Sequence, residues 1–192
     1  MNRTLCGVLI GLSMLVGGCG KPPTGDAPPA DVDLRAWDRI GDDPWRFGEG
    51  GVEAGPAEVT GFLVSKESFG DFRLTLEYWV EDDTNSGIHV RCTSRESIGP
   101  DVCYEINIWD SHPNQASRTG SVVTIAEPLA HIDGLERWVS VEIVAEGERL
   151  RASFDGQVTA DLEHGRSASG AIALQYAGTR TLRFRNVVIE AL

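Results

Sequence analysis

No stretch of the sequence carries a convincing helical period, and the longest apolar run, Leu5 to Val16, is too short to cross roughly 30 Å of hydrocarbon as a helix. Basic residues are scarce. Seventeen Lys plus Arg stand against 29 Asp plus Glu, a formal charge of -12, and so acidic a surface is repelled by phosphate backbones, which argues against nucleic acid as a partner. Several catalytic and binding motifs are also missing. The four His (89, 112, 131 and 164) show no His-Glu-x-x-His spacing and there are no paired zinc cysteines, which argues against a structural or protease-type zinc site. A carboxylate or His pair with carbonyls could still hold calcium or another divalent cation. Gly-x-Ser-x-Gly is absent, and the glycines at 48, 50 and 51 precede a strand instead of a helix, so neither a serine nucleophile elbow nor a phosphate loop is present. No internal repeat and no second domain can be seen.

What remains is a chain of 192 residues, 41% hydrophobic and 24% charged, enough for one good core. Twenty-two Gly and nine Pro favour turns and short strands. The first residues read as an address. One basic residue, Arg3, precedes the apolar run, the layout of a secretory signal, and Val16-Gly17-Gly18-Cys19 resembles a bacterial lipobox, where cleavage precedes a cysteine that is then acylated. Residues 1–18 are thus expected to be removed and Cys19 to carry the lipid, leaving 16 basic against 29 acidic residues, a formal -13. Membrane attachment would then rest on acyl chains and not on charge. Gly20 and Lys21 lack the Asp that retains such lipoproteins at the inner membrane, which implies the outer membrane of the cell envelope in a Gram-negative host. Residues 19–33 hold four of the nine prolines and read as a flexible tether, with the folded domain spanning 34–192.

From Trp45 onward the dominant signal is alternation with period two. In DFRLTLEYWV (71–80), Phe72, Leu74, Leu76, Tyr78 and Val80 share the core face, while Arg73, Thr75, Glu77 and Trp79 share the other. SGIHVRC (86–92) turns Ile88 and Val90 inward and His89 and Arg91 outward. CYEINIWD (103–110) turns Tyr104, Ile106 and Ile108 inward and Glu105, Asn107 and Trp109 outward. Further strands are expected at 60–65, 119–125, 138–146, 148–154, 170–176 and 181–190, with turns at Glu146-Gly147 and Asp155-Gly156. The fold class is all-β, a sandwich or jelly roll of two antiparallel sheets.

Cys92 and Cys103 flank a ten-residue loop between adjacent strands, and an exported protein occupies a compartment where such a pair oxidises. Strict alternation puts them on opposite faces, so a disulfide requires an irregular strand end.

The strands at 71–80, 86–92 and 103–110 are expected to be neighbours, presenting Glu77, Trp79, His89, Arg91, Glu105, Asn107 and Trp109 on a common face. That set suits a sugar: indoles stack on pyranose rings, while carboxylate, amide and guanidinium groups bind hydroxyls in fixed directions. The alternative is a solvated sheet face laced by Glu and Arg pairs.

NSGIHVR (85–91), YEINIWD (104–110), RTGSVV (118–123), the Trp opening RWVSVEIVAEGERLRASFDGQ (137–157) and GAIALQYAGTRTLRFRNVVIEAL (170–192) occur in the order found in the 3-keto-disaccharide hydrolase family, which the chain resembles from Trp45 to Leu192. The resemblance implies a concanavalin A-like jelly roll. It also implies a reaction: the ketone of a 3-keto-glycoside acidifies the carbon-2 proton, a base removes it, the glycosidic oxygen leaves carbon 1, and water adds afterwards. On the matching positions Glu105 would be the base or a metal-binding carboxylate, and His89 or Arg91 would stabilise the enolate. Asn85, Asn107, Asp110, Arg118 and Gln175 would orient the sugar, with turn chemistry the alternative for Asn85 and Asp110. For Arg185 a carboxylate pair is expected instead of catalysis.

The chain departs from the pattern in three places. Many members carry Gln at the position of Asn107, Trp-Asn at Trp138-Val139, and Asp-His-Gly at Tyr176-Ala177-Gly178. The missing His at 177 removes a candidate acid or ligand. Two functions follow: a tethered enzyme cleaving 3-keto-glycosides or related sugars, or a non-catalytic carbohydrate-binding lipoprotein using the same face.

Overall fold

A computed structural model describes Met1, residues 31–82 and residues 84–192. The signal segment, the lipidation site Cys19 and the tether up to residue 30 lie outside the described residues. Residues 31–33 already belong to the fold: Asp31 bridges to Val188, Val32 N–H donates to Val187 O, and Asp33 caps a short 3-10 turn, Leu34–Ala36.

Twelve strands follow: β1 Asp38–Gly41, β2 Trp45–Gly48, β3 Gly51–Ala54, β4 Val59–Val64, β5 Phe72–Val80, β6 Thr84–Cys92, β7 Tyr104–Ile108, β8 Val139–Glu146, β9 Arg149–Phe154, β10 Gln157–Glu163, β11 Ala171–Gly178 and β12 Leu182–Ala191. They form a five-stranded sheet in the order β1-β4-β11-β6-β7 and a seven-stranded sheet in the order β10-β9-β8-β5-β12-β3-β2. Every strand pairing is antiparallel. The architecture is an all-β jelly-roll sandwich.

The alternation read from the sequence sets the core. Phe72, Leu74, Leu76, Tyr78 and Val80 of β5 are buried against Ile88, Val90, Tyr104, Ile106 and Ile108 of β6 and β7 within one continuous apolar cluster. Each such side chain contributes about 1.5–3 kcal/mol when fully buried. Strands β1 to β3 are four residues each and broken by Gly and Pro, too short to show a period, and β10 is separated from β9 only by the Asp155-Gly156 turn. The expected strand at 119–125 is a folded-back segment. It covers the free edge of β7, with Asn107 N–H donating to Ser121 O and Val123 N–H to Glu105 O, but Thr124 takes φ 65 and Val122 closes a turn with Ala126.

Two expectations about faces are corrected. The strand β5 is not a neighbour of β6: it sits between β8 and β12 in the seven-stranded sheet, because the link from β5 to β6 crosses between layers. Glu77 and Trp79 therefore lie on the outer face of the other sheet, away from His89 and Glu105. Arg91 also does not point outward. Its φ is 51, and the pairing of β6 with β11 slips there, so that Val90 and Arg91 together oppose Ile172. This bulge reverses the faces of the residues after Val90. Arg91 turns inward and is 2% exposed, donating to Gly70 O at 3.0 and 3.1 Å, to Gly147 O at 2.6 Å and to Asp71 at 2.9 Å. Cys92 moves to the outer face instead, where it forms the disulfide with Cys103.

Arg91 is thus a clamp between the sheets. Replacing it by Ala removes a buried guanidinium with its hydrogen bonds to Gly70, Asp71 and Gly147 and leaves a void, and urea unfolding is expected to show a loss of about 3 kcal/mol. A loss below about 1 kcal/mol would contradict the clamp.

Candidate active site

The outer face of the five-stranded sheet carries three rows of side chains set by register. Thr60, Ala177 and Asn85 form one, Phe62, Gln175, Gly87 and Asn107 the next, and Val64, Ala173, His89 and Glu105 the third. Each row crosses β4, β11 and β6, and the last two reach β7. The third row places His89 Nε2 4.0 Å from Glu105 Oε1. A second apolar cluster, built by the disulfide, Val64, Ala171 and Ala173 with Ile98 and Val102 of the 93–102 loop, covers the end of this face. The ring of Phe62 stands edge-on to His89 with centroids 5.6 Å apart.

Burial dominates the electrostatics. His89 is 0% exposed, and neither ring nitrogen makes a hydrogen bond of good geometry, its polar neighbours being Gln175 and Glu105. Desolvation lowers its pKa to about 4, so the ring is neutral at pH 7. The same desolvation raises the Glu105 pKa to about 7. At neutral pH this carboxyl is divided between acid and base, which is what proton transfer to and from carbon requires.

Gly87 shapes the space beside that carboxyl. A Cβ on it would lie 3.3 Å from Gln175 Oε1 and 3.4 Å from Glu105 Oε1, so the glycine leaves a notch between the two oxygens. Gln175 Oε1 is buried without a partner, and Asn85, half-buried, makes no hydrogen bond through its side chain among the described residues. The notch is therefore walled by groups free to bind.

Three of the sugar-orienting residues expected from the sequence are committed elsewhere. Asn107 donates its amide to Ser117 O. Asp110 accepts from the Thr119 hydroxyl and, at 2.5 Å, from Gly134 N–H. Arg118, 7% exposed, binds Gln115, His131 and Ile132 O. Together they anchor the long 109–137 loop beside β7. Trp109 is half-buried with its ring 4.4 Å from that of His112, and its indole nitrogen is unpaired. Glu77 accepts from Arg185 at 2.8 and 3.2 Å and from Asn186, on the far side of the molecule, which is the carboxylate pair expected for Arg185. Phe62 and Gly87 were not legible as site residues. Only the pairing of β4 with β11 carries Phe62 to His89, and a glycine contributes by lacking a side chain.

As cation donors, His89, Glu105 and Gln175 supply one imidazole nitrogen, one carboxylate and one amide oxygen. Among the described residues no three His, Cys, Asp or Glu side chains gather as a metal site.

The family model for the 3-keto-alpha-glucoside-1,2-lyase-like domain matches residues 30–190. Among solved structures, a protein of Parabacteroides distasonis ATCC 8503 named as a candidate glycosyl hydrolase superposes with a TM-score of 0.67 at 20% identity, over 79% of this chain and 92% of that one. A carbohydrate-binding module of Bacillus subtilis gives 0.62 at 18% identity, over 80% and 95%. The lumenal domain of VIP36, bound to Ca2+ and Man3GlcNAc, gives 0.57 at 12% identity, over 81% and 84%. At these identities the likeness establishes a shared jelly-roll fold. A comparison with curated proteins finds no match. The match across nearly all of the folded chain, with the strand order and outer face just described, makes this protein a member of the 3-keto-alpha-glucoside-1,2-lyase-like family.

Proposed function

We propose that the protein is a glycoside-processing enzyme that opens 3-keto-glycosides or related oxidised sugars by elimination and hydration. The observation that carries this reading is Glu105, buried beside a neutral His89 and titrating near pH 7. With the sugar over the Gly87 notch, the Glu105 carboxylate takes the proton from carbon 2. The electron pair forms the carbon 1–carbon 2 double bond through the enolate of the carbon-3 ketone, and the glycosidic oxygen leaves carbon 1, taking a proton from solvent. Water then adds its oxygen to carbon 1, releasing one proton to solvent, while Glu105 returns its proton to carbon 2. Asn85, two residues along β6 from Gly87 on the same face, donates to the ketone oxygen. His89 has no exposure to substrate and acts as a positioning residue for Glu105. Arg91, folded into the core, takes no part. The lipobox ending at Cys19 supports anchoring of this enzyme to the cell envelope, with the substrate reaching it outside the cytoplasm.

A second reading is a non-catalytic carbohydrate-binding lipoprotein. It is favoured by Ala177, which sits between Thr60 and Asn85 where many relatives carry His, so one proton-transferring group is absent from the face.

Incubation with a 3-keto-disaccharide, following release of the second sugar, separates the two. Turnover is expected to rise with pH through about 7 as Glu105 ionises, and Glu105→Gln to lower it at least about 100-fold. Saturable binding with no turnover by the wild type would establish the second reading.

The same pair governs stability against pH. Glu105 is raised from 4.5 to about 7, so the folded state holds its proton longer, and this contribution is lost as pH rises from 4.5 to about 7. His89 is lowered from 6.5 to about 4, so its contribution is lost as pH falls from 6.5 to about 4. Each shift corresponds to about 3 kcal/mol, and in the wild type the two slopes oppose each other. Glu105→Gln leaves the His89 slope alone: urea midpoints should climb from pH 4 to 6.5, and the variant should exceed the wild type above pH 7. Parallel profiles would show that Glu105 titrates as an exposed carboxyl.

A further inference from the structure

Two cavities of about 460 and 440 Å³ lie on the outer face of the seven-stranded sheet, on the opposite side of the sandwich from Glu105, and a third of about 480 Å³ sits at the sandwich edge, where residues 31–35 meet β2 and β12 beside Leu34, Phe47 and Val187. Glu77 lines the 460 Å³ cavity and Arg185 the 440 Å³ cavity, so the two open on either side of this hydrogen-bonded pair, over β5, β8 and β9 on one side and β2, β3 and β12 on the other. The slip in register between Arg185 and Val188, with Asn186 at φ 53, bends β12 at its centre. Each of the two outer-face cavities lies within the range of ligand sites, about 300–1,000 Å³, and two side by side fit a chain of units better than a single small molecule.

The groove is lined by a particular chemistry. Trp138, one step beyond the Tyr78–Val139 pair and so alongside Trp79, lines the 440 Å³ cavity. Guanidinium groups stack on both indoles, Arg183 at 4.4 Å from the Trp79 centroid and Arg185 at 3.8 Å from that of Trp138. These contacts hold the two rings in fixed positions. Every guanidinium lining the three cavities has a carboxylate partner: Arg35 with Asp33, Arg46 and Arg183 with Glu53, Arg151 with Asp161, and Arg185 with Glu77. No unpaired cation is left for an anionic polymer, and the formal charge of -12 repels one. What the groove offers is aromatic surface with fixed donors and acceptors at little net charge, together with the hydroxyl-bearing Thr75, Ser140 and Ser153. That combination recognises polyhydroxylated rings.

We propose that this outer face is a second binding groove, for a neutral oligosaccharide, separate from the Glu105 site on the opposite sheet. Such a groove would hold a glycan chain on the protein independently of the chemistry at Glu105. Glu77, which the sequence reading joins to the Glu105 face, lines this second one.

Titration calorimetry with cellohexaose, maltohexaose and laminarihexaose tests it, with hexagalacturonate as the anionic comparison. At least one neutral hexaose is expected to bind saturably and hexagalacturonate not to bind. Trp138→Ala removes a platform. Gly50→Tyr provides a second variant that fills the groove without disturbing the backbone, since a Cβ on Gly50 meets nothing within 4 Å. Each should weaken binding at least about tenfold. Glu105→Gln should leave hexaose binding unchanged, and Trp138→Ala should leave turnover of the 3-keto-disaccharide unchanged, so the two sites fail or stand separately. The proposal is overturned if no neutral hexaose binds, if both groove variants bind as the wild type does, or if hexagalacturonate binds more tightly than every neutral hexaose.

Discussion

The bulge at Arg91 decides which side chains reach which face of the five-stranded sheet. One residue in the left-handed region lets β6 insert an extra position opposite Ile172. Up to Val90 the strand obeys simple alternation; after it the faces are exchanged. A guanidinium that alternation would expose is carried inward to the carbonyls of Gly70 and Gly147, and a cysteine that would be buried in the main core is carried outward to Cys103. The cost of a non-glycine residue at φ 51 is offset by those hydrogen bonds, which join the entry to β5 and the β8–β9 turn to β6. The disulfide and the 93–102 loop then close one end of the outer face, and the row holding His89 and Glu105 lies directly beside them.

With Arg91 removed from that face, no cation stands near Glu105, and desolvation acts unopposed. It moves the two titrating groups in opposite senses, the carboxyl up and the imidazole down, because burial disfavours whichever form is charged. Both groups are consequently neutral over a shared interval on the acid side of neutrality, and the carboxyl becomes a base only near pH 7. Had Arg91 faced outward, its charge would have held Glu105 ionised at lower pH and made it a weaker base. The inward turn of one arginine thus bears on the chemistry of a residue on the next strand.

Much of the sandwich was legible because period-two alternation is a direct consequence of burying one face of a strand. Phe72 to Val80, Ile88 and Ile106 to Ile108 are where the pattern puts them. Alternation says nothing about which strand lies beside which, so Glu77 and Trp79 were joined to a face that belongs to the other sheet. Nor does it show when a polar side chain is already committed. Asn107, Asp110 and Arg118 bear sugar-binding chemistry, yet each is used to pin the 109–137 loop, and loop paths are set by hydrogen bonds without a periodic trace. The disulfide was legible only as a condition, since it required a break in the strand whose position the sequence does not mark. Gly87 and Phe62 become site residues through register alone.

The account rests on Glu105 being held neutral by burial until near pH 7. The most direct test is to follow the Glu105 side-chain carboxyl carbon by NMR across pH in the intact protein, assigning the resonance by its loss in Glu105→Gln. A midpoint close to 7 is predicted. A midpoint near the ordinary carboxyl value of 4.5 would contradict the account, since a carboxyl fully ionised at neutral pH has no burial-tuned role as base.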